Sequence, residues 1–252
     1  MPAIRPGFAS PALRDHLRGG GAGGAESVMS SRDNPLWLQL WRDRRTDFHQ
    51  KKVNHYLARF WPDLARPQGS RIFVPLCGKS LDMIWLAEQG HHVIGVELSP
   101  VAVRAFFREN RLQPSRRQMG DFTLWEHGRI GILCGDYFAL DKADLGQIDT
   151  VYDRAALTAL PEDIRRLYVA HLRRIVPASA GVFLLTIEDA EEGDSLVQAL
   201  GVDEELAALY SEGFEISLEH VESVFESDPQ APKQPPRRAE YKVYRLSGRA
   251  AG

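Results

Sequence analysis

Ile72-Phe73-Val74-Pro75-Leu76-Cys77-Gly78-Lys79-Ser80 is the stretch that decides the fold. It opens on an unbroken apolar run, the mark of a strand buried on both faces. One glycine follows, and then Ser80, placed to cap a helix in which Leu81, Ile84 and Trp85 recur at helical spacing until Gly90. Strand, turn and helix in that order begin a unit whose next strand runs parallel to the first.

Toward the C-terminus the pattern repeats. Val93-Ile94-Gly95-Val96 reads as a second buried strand, and Ser99-Pro100 opens a helix with Val103, Phe106 and Phe107 on one face. Phe122–Glu126 and Arg129–Cys134 flank His127-Gly128 as a hairpin whose second arm enters the core. Ile148–Tyr152 and Val182–Ile187 are two more inner strands. Between them a helix from Pro161 turns Ile164, Leu167, Tyr168, His171, Leu172 and Ile175 inward. A helix near Asp203–Tyr210 precedes strands near Leu218–Phe225 and Tyr241–Leu246, and Pro229, Pro232, Pro235 and Pro236 mark the loop between those strands. With no helix between them, these two strands form an antiparallel end. On the N-terminal side, Trp37, Leu40 and Trp41, then Val53, Tyr56, Leu57, Phe60 and Trp61, show helical periods. The fold expected is α/β, doubly wound and mostly parallel.

The chain has 252 residues, 44% apolar and 26% charged, which suits one α/β domain, expected over 31–252. Residues 1–30, with Gly19-Gly20-Gly21-Ala22-Gly23-Gly24, cannot build a core and read as a disordered extension; Met29 is a candidate start. Arg5, Arg14 and Arg18 suit a transit peptide, but serines are few. A net charge of −3 offers no field for a nucleic-acid backbone. Two cysteines, Cys77 and Cys134, make neither a disulfide framework nor a metal cluster, and a reducing cytoplasm is the expected compartment. No apolar run approaches the ~18 residues of a membrane span.

Ligands of such sheets lie beyond the carboxyl ends of the central strands. Glu97 closes the second strand 19 residues after Gly78, the place of a carboxylate that accepts from a ribose diol; the plainer reading is a polar strand end. Asp136 follows the third core strand, where it either borders an adenine or forms the turn in Cys134-Gly135-Asp136. A dinucleotide needs several glycines in the first loop, whereas Gly78 stands alone. Gly78-Lys79-Ser80 imitates the end of a phosphate-binding loop, but Phe73 occupies the required upstream glycine position. S-adenosylmethionine, which has no pyrophosphate, requires no such cradle. Arg154, after the fourth inner strand, either clamps an anionic acceptor or pairs structurally with Asp153 or Glu97. Trp37, Trp41 and Phe48 either line the mouth, where a Trp face can hold a sulfonium, or pack a helix. His49, His91 and His92 lack metal spacing and are expected toward solvent or at strand ends; neither cysteine shows a paired base.

Phe48-His49-Gln50, Pro75-Leu76-Cys77-Gly78-Lys79-Ser80, Gly95-Val96-Glu97-Leu98-Ser99 and Tyr152-Asp153-Arg154-Ala155-Ala156-Leu157 together resemble the thiopurine S-methyltransferase family in its bacterial form. The resemblance runs from about Asn34 to Ile187 and returns at Tyr241–Leu246. It implies the seven-stranded class I methyltransferase sheet, S-adenosylmethionine as donor, and a small thiol or thiopurine as acceptor. It also implies that Trp41, Leu76, Glu97 and Arg154 hold the cofactor, that Asp136 and Tyr137 lie at the adenine, and that Trp37 to Phe48 belong to a segment closing over it. Where the family carries Gly-Pro-Pro-Phe after the fifth strand, this chain has Glu188-Asp189-Ala190-Glu191-Glu192-Gly193-Asp194.

Rival readings keep the fold and change the acceptor to a selenium or tellurium species, a halide or an aliphatic thiol. Another keeps the donor site without catalysis, and a dehydrogenase is opposed by the lone glycine. The expected partner is a small molecule, with no nucleic acid and no membrane, and the expected state is a monomer.

Overall fold

The computed structural model describes residues 33–46, 49–189, 203–226 and 237–249. In chain order these form α1 (Asn34–Arg42), α2 (His55–Phe60), β1 (Arg71–Val74), α3 (Asp82–Glu88), β2 (His92–Glu97), α4 (Pro100–Glu109), β3 (Ser115–Met119), β4 (Phe122–His127) and β5 (Ile130–Cys134). There follow α5 (Lys142–Leu145), β6 (Thr150–Arg154), α6 (Glu162–Ile175), β7 (Gly181–Asp189), α7 (Glu204–Tyr210), β8 (Phe214–Glu226) and β9 (Arg237–Gly248).

The strands join in the order β3-β4-β5-β2-β1-β6-β7-β9-β8. The inner five, β5 to β7, run parallel, while β4 and β9 attach antiparallel on either side. The seven strands from β5 to β8 make the sheet that the resemblance implies, the expected hairpin arm β4 adds an eighth, and β3 extends the sheet to nine. β3 escaped the sequence pattern because Ser115-Arg116-Arg117-Gln118 is polar and exposed, as a charged edge strand can be. From β1 the sheet grows first toward β5 and then, reversing, toward β7, so a crevice opens between the ends of β1 and β6.

Alternate residues of each inner strand feed two cores. Phe73, Ile94, Val96, Leu133, Val151 and Leu184 pack beneath Ile164, Tyr168 and Leu172 of α6. On the opposite face Ile72, Val74, Val93, Ile132, Tyr152 and Phe183 meet Leu57, Met83, Leu86, Val103 and Phe106 of α2 to α4. The expected helix start at Ser99-Pro100 is present, the Ser99 hydroxyl accepting from the Ala102 N–H. Ser80, expected as the cap of α3, stands one residue too early: the N-cap is Leu81, which makes no side-chain capping bond, and Ser80 Oγ accepts from the Asp82 N–H at 3.3 Å. Pro62 converts the end of the α2 segment into a 3-10 turn, Trp61–Leu64.

Two assignments of burial need correction. Leu167 is exposed, because the buried stripe of α6 runs through Ile164, Tyr168, His171, Leu172 and Ile175 and passes it by. His91, expected toward solvent or at a strand end, is buried, and its Nε2 accepts from the indole N–H of Trp61 at 3.2 Å. Residues 1–30, Phe48, the proline-marked loop and residues 190–194 lie outside the described residues.

Candidate active site

The loop after β1 is folded back over β2. Its Cys77 N–H donates to the Val96 carbonyl at 2.9 Å. Gly95 permits that approach, since a Cβ there would stand 2.6 Å from Cys77 Sγ. Leu76 and Gly78 take left-handed backbone angles, φ 46 and 56, the first costly for a residue with a side chain. The turn ends with the Gly78 N–H donating to Glu97 Oε2 at 2.9 Å, while Glu97 Oε1 accepts from the Ser99 N–H at 2.7 Å. Glu97 thus joins the β1 loop to the start of α4. Burial outweighs these two hydrogen bonds and pushes its carboxyl up to about 7.

Helix α1 lies across this corner. At one end the Asn34 side-chain amide donates to Asp136 Oδ2 at 2.8 Å. At the other, Trp41 is buried against Gly78; a Cβ at Gly78 would sit 3.3 Å from the indole. Trp37, half-buried, is one helical turn before Trp41 and shares its face. Asp136 also caps the short turn after β5 by accepting from the Phe138 N–H at 3.0 Å, which is the turn-forming reading of that residue. The Tyr137 side chain is turned into the core instead. Its hydroxyl donates to the Tyr168 carbonyl at 3.0 Å and its ring stacks on Tyr168, leaving only its backbone beside Asp136 for a ligand.

On the β6 side Arg154 pairs with neither Asp153 nor Glu97. Its Nε donates to Asp82 Oδ2 at 2.8 Å and its Nη2 to Ser80 Oγ at 3.2 Å. Asp153 is buried and accepts from the Tyr168 hydroxyl and two backbone N–H groups of the β6–α6 turn. Burial still raises its carboxyl to about 6. Asp82 was invisible in the sequence, where an acid in a first helical turn is unremarked. Burial holds the His49 imidazole neutral, with the nearby cations Lys79 and Arg154 adding to the effect, its pKa pushed down to about 4. Burial pushes the Cys77 thiol well above its ordinary range and that of Cys134 up to about 11, so neither supplies a ready thiolate. Among the described residues no cluster of three or more His, Cys, Asp or Glu could hold a metal.

The crevice has a definite chemistry. The N–H groups of Cys77, Gly78 and Ser80 are already committed, to Val96, Glu97 and Cys77 respectively, so no row of free amides awaits a diphosphate. A buried carboxylate with a raised pKa is short of donors, which a ribose diol supplies. The residues present therefore fit an adenosyl group.

The family model for thiopurine S-methyltransferase matches residues 32–249. The chain belongs to that family. It is accordingly an S-adenosylmethionine-dependent methyltransferase. A thiopurine S-methyltransferase of Stutzerimonas stutzeri is 70% identical over 221 residues, covering 88% of this chain and 93% of the relative. One from Nitrosospira multiformis is 42% identical over 216 residues, covering 85% and 98%. A solved S-adenosylmethionine-dependent methyltransferase from Anabaena variabilis shares the fold of this methyltransferase at a TM-score of 0.57, with 15% identity, covering 90% of this chain and all (100%) of the other.

Proposed function

We propose that this methyltransferase transfers a methyl group from S-adenosylmethionine to the sulfur of a small thiol or thiopurine. The observation that carries the reading is the buried Glu97 carboxylate, bridging Gly78 and Ser99 beneath the Trp41 indole. The relatives named as thiopurine S-methyltransferases support the acceptor class.

When bound, the donor supplies a methyl group on a cationic sulfur. Glu97 accepts from the ribose hydroxyls, and Asp136 with the backbone of Tyr137 borders the adenine. Leu76, Gly78 and Trp41 wall the sulfur side, where an indole face favours a cation. Trp37 and Phe48 belong to the segment that excludes water. Arg154 meets the acceptor and stabilises it as a thiolate, so that little further proton transfer is needed. Alignment and exclusion of water then dominate, effects worth up to ~7–11 kcal/mol when geometry is ideal.

A second reading takes a selenium or tellurium anion, a halide or an aliphatic thiol as acceptor. Its motive is the stretch Glu188 to Asp194, which stands where the family carries Gly-Pro-Pro-Phe on the acceptor side. The negative overall charge supports a small molecule over nucleic acid, and among the described residues no helix is long and apolar enough to cross a membrane.

The test is methyl transfer from labelled donor to mercaptopurine, a simple alkyl thiol and selenite, beside calorimetric donor binding. Transfer to the thiopurine supports the first reading, and transfer to selenite alone supports the second. Tight donor binding without transfer to any acceptor would overturn both in favour of a non-catalytic binder.

A further inference from the structure

Asp82 is almost wholly buried, and its carboxylate receives three donors from two distant parts of the chain, Asn54 before α2 and Tyr152 and Arg154 on β6. Oδ1 accepts from the backbone N–H of Asn54 at 2.8 Å. Oδ2 accepts from the Tyr152 hydroxyl and from Arg154 Nε, each at 2.8 Å. Ser80 Oγ completes a ring, accepting from Arg154 Nη2 and from the Asp82 N–H. The guanidinium is thus gripped along its Nε–Nη2 edge. The Arg154 side chain keeps 13% of its surface exposed.

A buried ion pair of this kind seldom adds net stability, since desolvation of both charges offsets their attraction; its usual benefit is a defined geometry. The second link concerns the N-terminal segment. Asn54 caps α2 with its side-chain oxygen and donates from its amide to Gln50, in the stretch that leads back to α1 and Trp41. One carboxylate therefore ties the cover over the donor crevice to the arginine beside it.

We infer that Asp82 is a positioning residue for methyl transfer: it fixes the direction of the Arg154 guanidinium and couples that direction to the seating of the N-terminal segment through Asn54. The inference rests on the reading of Arg154 as the group that meets the acceptor. Asp82 touches no reacting atom. It acts by holding one edge of Arg154 so that the other faces the crevice.

The experiment measures kcat and KM for mercaptopurine, and Kd for S-adenosylhomocysteine, in the wild type, Asp82→Asn, Asp82→Glu, Arg154→Lys, the double variant Asp82→Asn/Arg154→Lys, and Tyr152→Phe. Asp82→Asn is expected to lose kcat by about 10–100-fold, the cost of a misaimed group, while Kd moves by less than about threefold. Asp82→Glu recovers part of the loss, and the double variant is no worse than Arg154→Lys alone, because both changes break one device. Wild-type kcat in Asp82→Asn, or losses that multiply in the double variant, overturns the inference. A fall in Kd affinity matching the fall in kcat does so too, since it shows a merely structural role. If Asp82→Asn does not fold, Tyr152→Phe decides: a several-fold loss of kcat at constant Kd supports the inference, and unchanged kcat overturns it. Wild-type transfer by Arg154→Lys would instead sink the reading of Arg154 itself, and the inference with it.

Discussion

The Glu97 carboxylate stands 2.9 Å from the Gly78 amide nitrogen, closing a gap of 19 residues between the end of β2 and the loop after β1. That contact shapes the turn and places a buried acid at the end of β2, beside the start of α4, where the proposed donor site lies. Its protonation therefore links binding and stability to pH.

Donor binding should release a proton near neutrality. Glu97 has its carboxyl at about 7 in the free protein, and hydroxyl donors favour the ionised form. S-adenosylhomocysteine affinity is expected to rise about tenfold per pH unit below 7 and to level above it. Calorimetry at pH 6.5 in buffers of different ionisation enthalpy reads the released proton. Equal heats in all buffers would refute the linkage.

Glu97→Gln should gain stability relative to the wild type as pH rises. The ordinary value of 4.5 is raised to about 7, so the folded state keeps a proton that the unfolded state has lost, and wild-type stability falls across that window. The shift corresponds to ~3 kcal/mol, present below about 4.5 and lost by about 7. Buried neutral histidines, His49 among them, pull the other way as pH falls, so the informative quantity is the variant-minus-wild-type difference. Urea titrations at pH 5 and 8 measure it, and a pH-independent difference would contradict the account.

Gly78→Ala should weaken donor binding. The position needs φ 56, and the new methyl would stand 3.3 Å from the Trp41 indole. We expect ~1–2 kcal/mol of strain or displacement, seen as a similar loss of stability or up to about tenfold in Kd. Crystallography of the variant should show Trp41 shifted. An unmoved indole with unchanged Kd and stability would count against a closed corner there.

Asp136→Ala should loosen α1. Removing the Oδ2 acceptor takes one side-chain hydrogen bond from the N-terminal end of the helix, while Trp41 remains packed against Gly78 at the other end. Amide exchange should accelerate in 34–38 more than in 39–42, with Kd for S-adenosylhomocysteine weaker by several-fold. Uniform protection like that of the wild type would show that the Asn34 bond does not anchor the cover.

Much of this was legible beforehand, for physical reasons. The five inner strands are buried on both faces, so their sequences are continuous apolar runs that stand out from any helix. Glu97 was found by its distance from Gly78, because a strand–turn–helix–strand unit has a nearly fixed length. Asp82 was not, because its donors lie 28, 70 and 72 residues away and no local pattern carries such a contact. Arg154 lies at the end of the fourth inner strand as expected, but its partners are not the strand-end neighbours Asp153 and Glu97; they lie at the start of α3, which begins 72 residues earlier. The orientation of Tyr137 was not legible either: it opens the 3-10 turn after β5, and its ring enters the core against Tyr168, 31 residues away.

The most direct measurement is a crystal structure with S-adenosylhomocysteine. The expected result is the ribose hydroxyls within hydrogen-bond distance of Glu97, the adenine beside Asp136 under α1, and the sulfur between Trp41 and the Arg154 side of the crevice. A ligand bound elsewhere, or one in this crevice whose ribose makes no contact with Glu97, would contradict it.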